Sequence, residues 1–167
     1  MTSALRFLAM ASDQATAYRL GAPDAYGLSP ERRLSPGGYP CRHCLGEIAE
    51  GEAYLTLAYR PFPALQPYAE TGPIFLHADA CPRYAATEVL PPMLESPDYI
   101  VRGYGADHRI VYGSGGVVPT TTIVTRALDL LADPQIAYLH VRSARNNCYQ
   151  CRIERAETAS SDSRRHA

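Results

Sequence analysis

Lysine does not occur in this chain; all sixteen basic residues are arginine, which fits a genome rich in G and C. Two chemistries are thereby excluded: Schiff-base formation on a lysine amine, and the lysine of a phosphate-binding P-loop. Tryptophan is absent too, and tyrosine, with twelve residues, is the main aromatic. Net charge is lacking as well. Seventeen acids offset the sixteen arginines to leave -1, so no overall field attracts nucleic acid or an anionic membrane, and neither is an expected partner. No stretch approaches the ~20 apolar residues needed to span a bilayer. The first ten residues, Met1 to Met10, lack a basic flank ahead of an apolar run, so no secretory leader is expected. Neither Gly-x-Ser-x-Gly nor His-Glu-x-x-His occurs, which removes two common hydrolase signatures.

What is present is cysteine and histidine in a pattern. Cys41-Arg42-His43-Cys44 places two thiols two residues apart, the smallest chelating loop suited to a tetrahedral metal. His77 and Cys81 follow and can complete a set of four ligands, for which zinc is the expected ion. Cys148 and Cys151 repeat the Cys-x-x-Cys spacing. Five cysteines is an odd number in a chain without an export signal. A reducing cytoplasm and a metal or free-thiol role fit this better than a disulfide framework.

A chain of 167 residues, 46% of them apolar, suits one core. The expected class is α+β: antiparallel strand pairs, one main helix and a small cysteine/histidine zinc lobe. Residues 1–157 are expected to form the domain, with the lobe at about 38–90 and a disordered tail over 158–167. Residues 4–10 read as a strand or a short helix. Ser12-Asp13 offers an N-cap for a short helix ending near Gly21, and the Pro/Gly-rich stretch 21–40 reads as a loop. Residues 52–59 alternate as a half-buried strand, pairing with Ile74–His77. Pro82 suggests a short helix over 82–88 with Cys81 at its N-cap. Tyr99–Tyr104 and Arg109–Tyr112 read as a hairpin. Residues 122–132 carry Ile123, Ala127, Leu130 and Leu131 at helical spacing, capped by threonines and stopped at Asp133-Pro134. Ile136–Val141 and Cys148–Ile153 form a strand pair around Asn146-Asn147.

Knuckle, hairpin and ligands at a helix start resemble a treble-clef zinc finger over about 45 residues, with Cys41, Cys44, His77 and Cys81 as ligands. Cys151 is the alternative fourth ligand, in place of Cys41. Strand alternation separates Cys148 from Cys151, so at most one of them reaches such a site unless a bulge intervenes. Two other readings remain. The thiols are small hydrophobes packed in a core, or they form a redox pair.

The chain as a whole resembles the bacterial domain-of-unknown-function family 1203. The residues that carry the resemblance include Pro40-Cys41-Arg42, Gly51-Glu52, Tyr59-Arg60-Pro61, Pro67-Tyr68, Gly72-Pro73-Ile74-Phe75, Leu90-Pro91-Pro92, Arg102-Gly103-Tyr104, Ala132-Asp133-Pro134 and Val141-Arg142-Ser143-Ala144-Arg145. The resemblance implies a small soluble bacterial protein with no assigned activity. The resemblance further implies that many relatives carry serine at the place of Cys44 and lack the His77/Cys81 pair, so zinc would be an addition in a branch like this one and not a requirement of the family fold.

Gly113-Ser114-Gly115-Gly116 reads as a flexible turn, since no Gly-Lys-Ser/Thr follows. His108 is expected in a solvated turn and His140 as a hydrogen-bonded core or rim histidine. Arg60, Tyr68, Arg102 and Tyr104 form an anion-binding set if they converge; otherwise tyrosine and arginine cover the sheet and pair with Glu70. The expected function is a small zinc-stabilised binding module for an unknown ligand or protein partner. An enzyme with a zinc or Tyr/Arg-lined site, and a thiol redox sensor, are the alternatives. Nothing in the sequence fixes an oligomeric state.

Overall fold

Period-two alternation of apolar residues builds the strands of this protein. The computed structural model describes residues 4–157, so the expected tail at 158–167 lies outside the described residues. In chain order the elements are β1 (Leu5–Leu8), α1 (Ser12–Arg19), β2 (Glu31–Leu34), β3 (Tyr39–Pro40), β4 (Glu47–Ile48), β5 (Ala53–Tyr59), β6 (Gly72–His77), β7 (Asp98–Tyr104) and β8 (Gly116–Pro119). A 3-10 turn at Thr120–Thr122, α2 (Ile123–Leu131), β9 (Tyr138–Ser143) and β10 (Tyr149–Arg155) follow. The strands form an antiparallel five-stranded sheet in the order β1-β10-β9-β7-β8. A three-stranded sheet β2-β5-β6 and a two-stranded ribbon β3-β4 complete the α+β fold. No described helix is long and apolar enough to cross a membrane.

The main core lies on one face of the large sheet. Phe7, Val101, Leu139, Val141 and Ile153 meet the apolar stripe Ile123, Ala127, Leu130 and Leu131 of α2. Each large aliphatic or Phe side chain buried there contributes about 1.5–3 kcal/mol. A second core joins α1, the ribbon and the small sheet through Ala15, Cys41, Ile48, Leu57, Ile74 and Leu76. The other face of β9 is also covered. Tyr138, His140 and Arg142 alternate with Leu139 and Val141, and all five are buried. The loop after β5 brings Phe62 onto this second face, against Tyr104 and Tyr138.

Several local expectations are corrected. Residues 82–88 form no helix. Their backbone is engaged elsewhere, with Tyr84 N donating to His43 O and Phe7 N to Thr87 O at 3.0 and 2.7 Å. Arg83 adds side-chain bonds to the carbonyls of Ala9 and Met10. The stretch 21–40 is not all loop: β2 pairs with β5 from Glu31↔Thr56 to Leu34↔Ala53 although its side chains are exposed, which hides it from a burial-based pattern. The hairpin partner of β7 is β8, and Ile110 makes only an isolated bridge to Tyr104. Ser12 lies inside α1 and its hydroxyl goes to His43 instead of capping. The threonines do not cap α2 either; Thr120 and Thr122 donate their hydroxyls to the carbonyls of Ser96 and Pro119. His108 is not simply solvated, since its Nδ1 meets Tyr138 OH at 2.9 Å.

Candidate metal centre

The knuckle is built by backbone geometry. The ribbon β3-β4 pairs Tyr39 with Ile48 and Pro40 with Glu47, so Cys41 to Gly46 form its connecting turn. Leu45 N donates to Cys41 O and Cys41 N to Gly46 O, both at 2.9 Å. Closing so tight a turn takes Leu45 into the left-handed region, at φ 53°. Arg42 fastens the knuckle from behind. It is buried, donating from Nε to Tyr149 O and from Nη1 to Pro40 O, each at 2.7 Å. Burial lowers its pKa to about 10.

His77 ends β6 opposite Tyr54, and a short turn leads to Cys81. Four ligand atoms, from Cys41, Cys44, His77 and Cys81, thus lie within 4.8 Å of one another and could hold a metal ion. Cys41 Sγ is 3.9 Å from Cys81 Sγ, and Cys44 Sγ is 3.6 Å from His77 Nδ1. Cys41 is buried and the other three are half-buried. Cys151, the alternative fourth ligand, is not in this group; it is buried in the main core, where burial pushes its thiol up to about 12. A bulge between Tyr149 and Cys151 breaks the simple alternation argued for the two C-terminal cysteines. Cys148 is half-buried beside the turn, its thiol 3.7 Å from Asn146 O.

The cluster has supports that the sequence did not announce. His77 Nε2 lies 3.2 Å from Glu52 Oε2, which leaves Nδ1 facing the cysteines. Glu52 also accepts from Ala49 N at 2.8 Å, and these two bonds hold its carboxyl below the usual range. Cys81 Sγ receives Arg19 Nη2 at 3.0 Å and lies 3.1 Å from His43 Nδ1. Ser12 Oγ is 2.9 Å from the other nitrogen of His43, whose pKa is lowered by burial and then by the Arg19 charge. Ser12 and Arg19 are seven residues apart, so they share one face of α1. Spacing inside Cys-x-x-Cys could have pointed to His43; nothing local pointed to Arg19 or Glu52. Among the thiols, hydrogen bonds from Cys44 and Cys81 hold Cys41 well below the ordinary thiol range, and sharing with Cys41 pushes the other two up.

The tyrosine/arginine set converges only in part. Arg102 Nε donates to Tyr104 OH at 2.9 Å and its Nη2 to Glu70 at 2.8 and 3.0 Å. Arg60 turns back on its own loop toward Phe62 O, and Tyr68 pairs with Tyr112 through their hydroxyls. His140 is fully buried among Phe62, Tyr104, Tyr138 and Tyr149. The expected hydrogen bond is not made: neither ring nitrogen has a partner among the described residues. Burial, then the charges of Arg142, Arg152 and Arg102, hold this imidazole neutral, well below its ordinary pKa.

The sequence model of a family described as protein of unknown function, DUF1203, matches residues 38–155. No curated protein and no solved structure matches the chain.

Proposed function

The chain belongs to the DUF1203 family, for which no reaction is assigned, and from that premise we propose a zinc-stabilised binding module, with Cys41, Cys44, His77 and Cys81 as the ligands of one zinc ion. The observation that carries this reading is the spacing of the ligand atoms. A regular tetrahedron with Zn–S of ~2.3 Å and Zn–N of ~2.0 Å has S···S edges of about 3.8 Å and S···N edges of about 3.5 Å. One S···S and one S···N separation here are 3.9 and 3.6 Å, and all four ligand atoms lie within 4.8 Å of one another. Three thiolates and an imidazole select zinc over the oxygen-seeking calcium and magnesium.

Four protein ligands leave no open position for water, which favours a structural over a catalytic ion. Glu52 orients His77 in the manner of a carboxylate–histidine–zinc arrangement. Three thiolates on a divalent ion leave one net negative charge, and Arg19 on Cys81 offsets it. The ion would join the β3-β4 knuckle to the end of β6 and pin a lobe of about residues 38–90 onto one domain. A reducing bacterial cytoplasm completes the reading, since all five cysteines are free thiols.

Thermal unfolding with and without a chelator, on the wild type and on Cys44→Ser, tests the proposal. Structural zinc contributes on the order of 10 kcal/mol in small finger peptides. Chelation should therefore lower the melting temperature steeply, and Cys44→Ser should start low and respond little. Equal melting temperatures with and without chelator would count against a structural ion.

A further inference from the structure

Glu70 sits between two arginines, and one of them has donors to spare. Arg102 and Arg142 stand on neighbouring strands β7 and β9, and both reach the Glu70 carboxylate, at 2.8 and 3.0 Å. Arg142 Nη1 also donates to Asn147 O at 3.2 Å. Its Nε and Nη2 have no partner among the described residues, although the side chain is only 4% exposed. Buried N–H donors of a cation are costly to leave unpaired, so this pair calls for an acceptor. Nε–H and the adjacent Nη2–H point the same way and form the edge of a guanidinium that takes both oxygens of one carboxylate.

Arg142 also lines a cleft of about 310 Å³, with Tyr59, Glu70, Asn146, Asn147 and Tyr149 among its other walls. That is the small end of the ligand-pocket range of roughly 300–1,000 Å³. Charge narrows the ligand further. Arg102 and Arg142 share the single carboxylate of Glu70, whereas Arg6 and Arg152 pair separately with Glu154 and Glu157. One positive charge is left over, which matches a monoanion.

We infer that this cleft binds a small organic monocarboxylate, its two oxygens on Arg142 Nε and Nη2 and its apolar part against the rings of Tyr59 and Tyr149. Both donor atoms are shielded from solvent, and the exposed Asn146–Asn147 turn forms the wall of the cleft beside Arg142. The inference rests on reading the chain as a binding module; it does not depend on the metal.

The test is a titration of ¹⁵N-labelled full-length protein, its zinc content measured beforehand, following the Arg142 Nε–H resonance. The probes are sodium benzoate, the neutral benzamide and inorganic phosphate. Benzoate is expected to move the resonance saturably, and benzamide to leave it in place. Arg142→Lys keeps the charge and loses the fork, and should weaken benzoate binding by about tenfold or more. Should that variant not fold, the benzoate–benzamide comparison on the wild type decides alone. No saturable shift with benzoate, or binding of benzamide or phosphate as tight as that of benzoate, overturns the inference. Zinc-loaded protein that ignores benzoate contradicts this inference alone; zinc-free protein that binds it contradicts the metal reading alone.

Discussion

Replacing His140 by phenylalanine should make this protein more stable and less sensitive to acid. The imidazole is fully buried, and both its nitrogens lack a partner among the described residues. Burying such groups unpaired costs about 1–3 kcal/mol, which an apolar ring does not incur. Phenylalanine is somewhat larger, and overpacking takes back about 1 kcal/mol or more. A net gain of about 1 kcal/mol at pH 7.5 follows. The pH dependence is the sharper part. Arginines from β7, β9 and β10 (Arg102, Arg142 and Arg152) and His108 all oppose a charge on this ring, after burial itself. The folded pKa is thus far below the unfolded value of about 6.5. As pH falls through 6.5, the unfolded chain takes up a proton that the folded chain refuses, so stability drops. With the folded pKa below the window, the loss from pH 7.5 to 5.5 is about 1.4 kcal/mol. Urea denaturation of both proteins at both pH values measures it. Other histidines and the thiols titrate equally in each, so the difference isolates His140. Parallel pH dependence in the two proteins, or strong destabilisation of the variant at both pH values, would refute the reasoning.

Glu52→Ala should leave the fold intact and weaken metal binding by about tenfold, the low end for a group that orients a ligand, because Glu52 is half exposed; chelator competition reads this. Gly103→Ala should destabilise by about 1–3 kcal/mol in denaturant titration. The added Cβ would sit 3.0 Å from Ile136 Cδ1 and 3.1 Å from Ser114 Cβ, both on neighbours packed beneath β7. Cys151→Ala should keep the metal stoichiometry unchanged by elemental analysis, because Cys151 lies in the main core and apart from the cluster.

The elements that the sequence made legible are those with a clean period. β5 with β6, α2, and the β9–β10 pair all carry alternating or helical apolar spacing, and all form near the expected residues. The ligand quartet was legible for a different reason: chelation by a short loop is a local property of Cys-x-x-Cys, and its completion needs only one more His/Cys pair. What stayed hidden depends on partners distant in sequence. β2 has exposed side chains and owes its conformation to its backbone ladder with β5. Pro82 looked like a helix start, yet residues 82–88 are tied by backbone hydrogen bonds to β1 and the knuckle. Arg19 and Glu52 reach the cluster from α1 and from the turn before β5, 62 and 25 positions away from the residues they touch. His140 looked like a satisfied core histidine, because nothing in the strand shows that its neighbours across the sheet would be arginine and tyrosine.

X-ray absorption at the zinc edge, on protein purified without chelator and with its metal content measured, tests the central claim most directly. One zinc per chain is expected, with three sulfur scatterers at ~2.3 Å and one nitrogen at ~2.0 Å. Protein without stoichiometric zinc, or a shell of two sulfurs completed by oxygen, would contradict it.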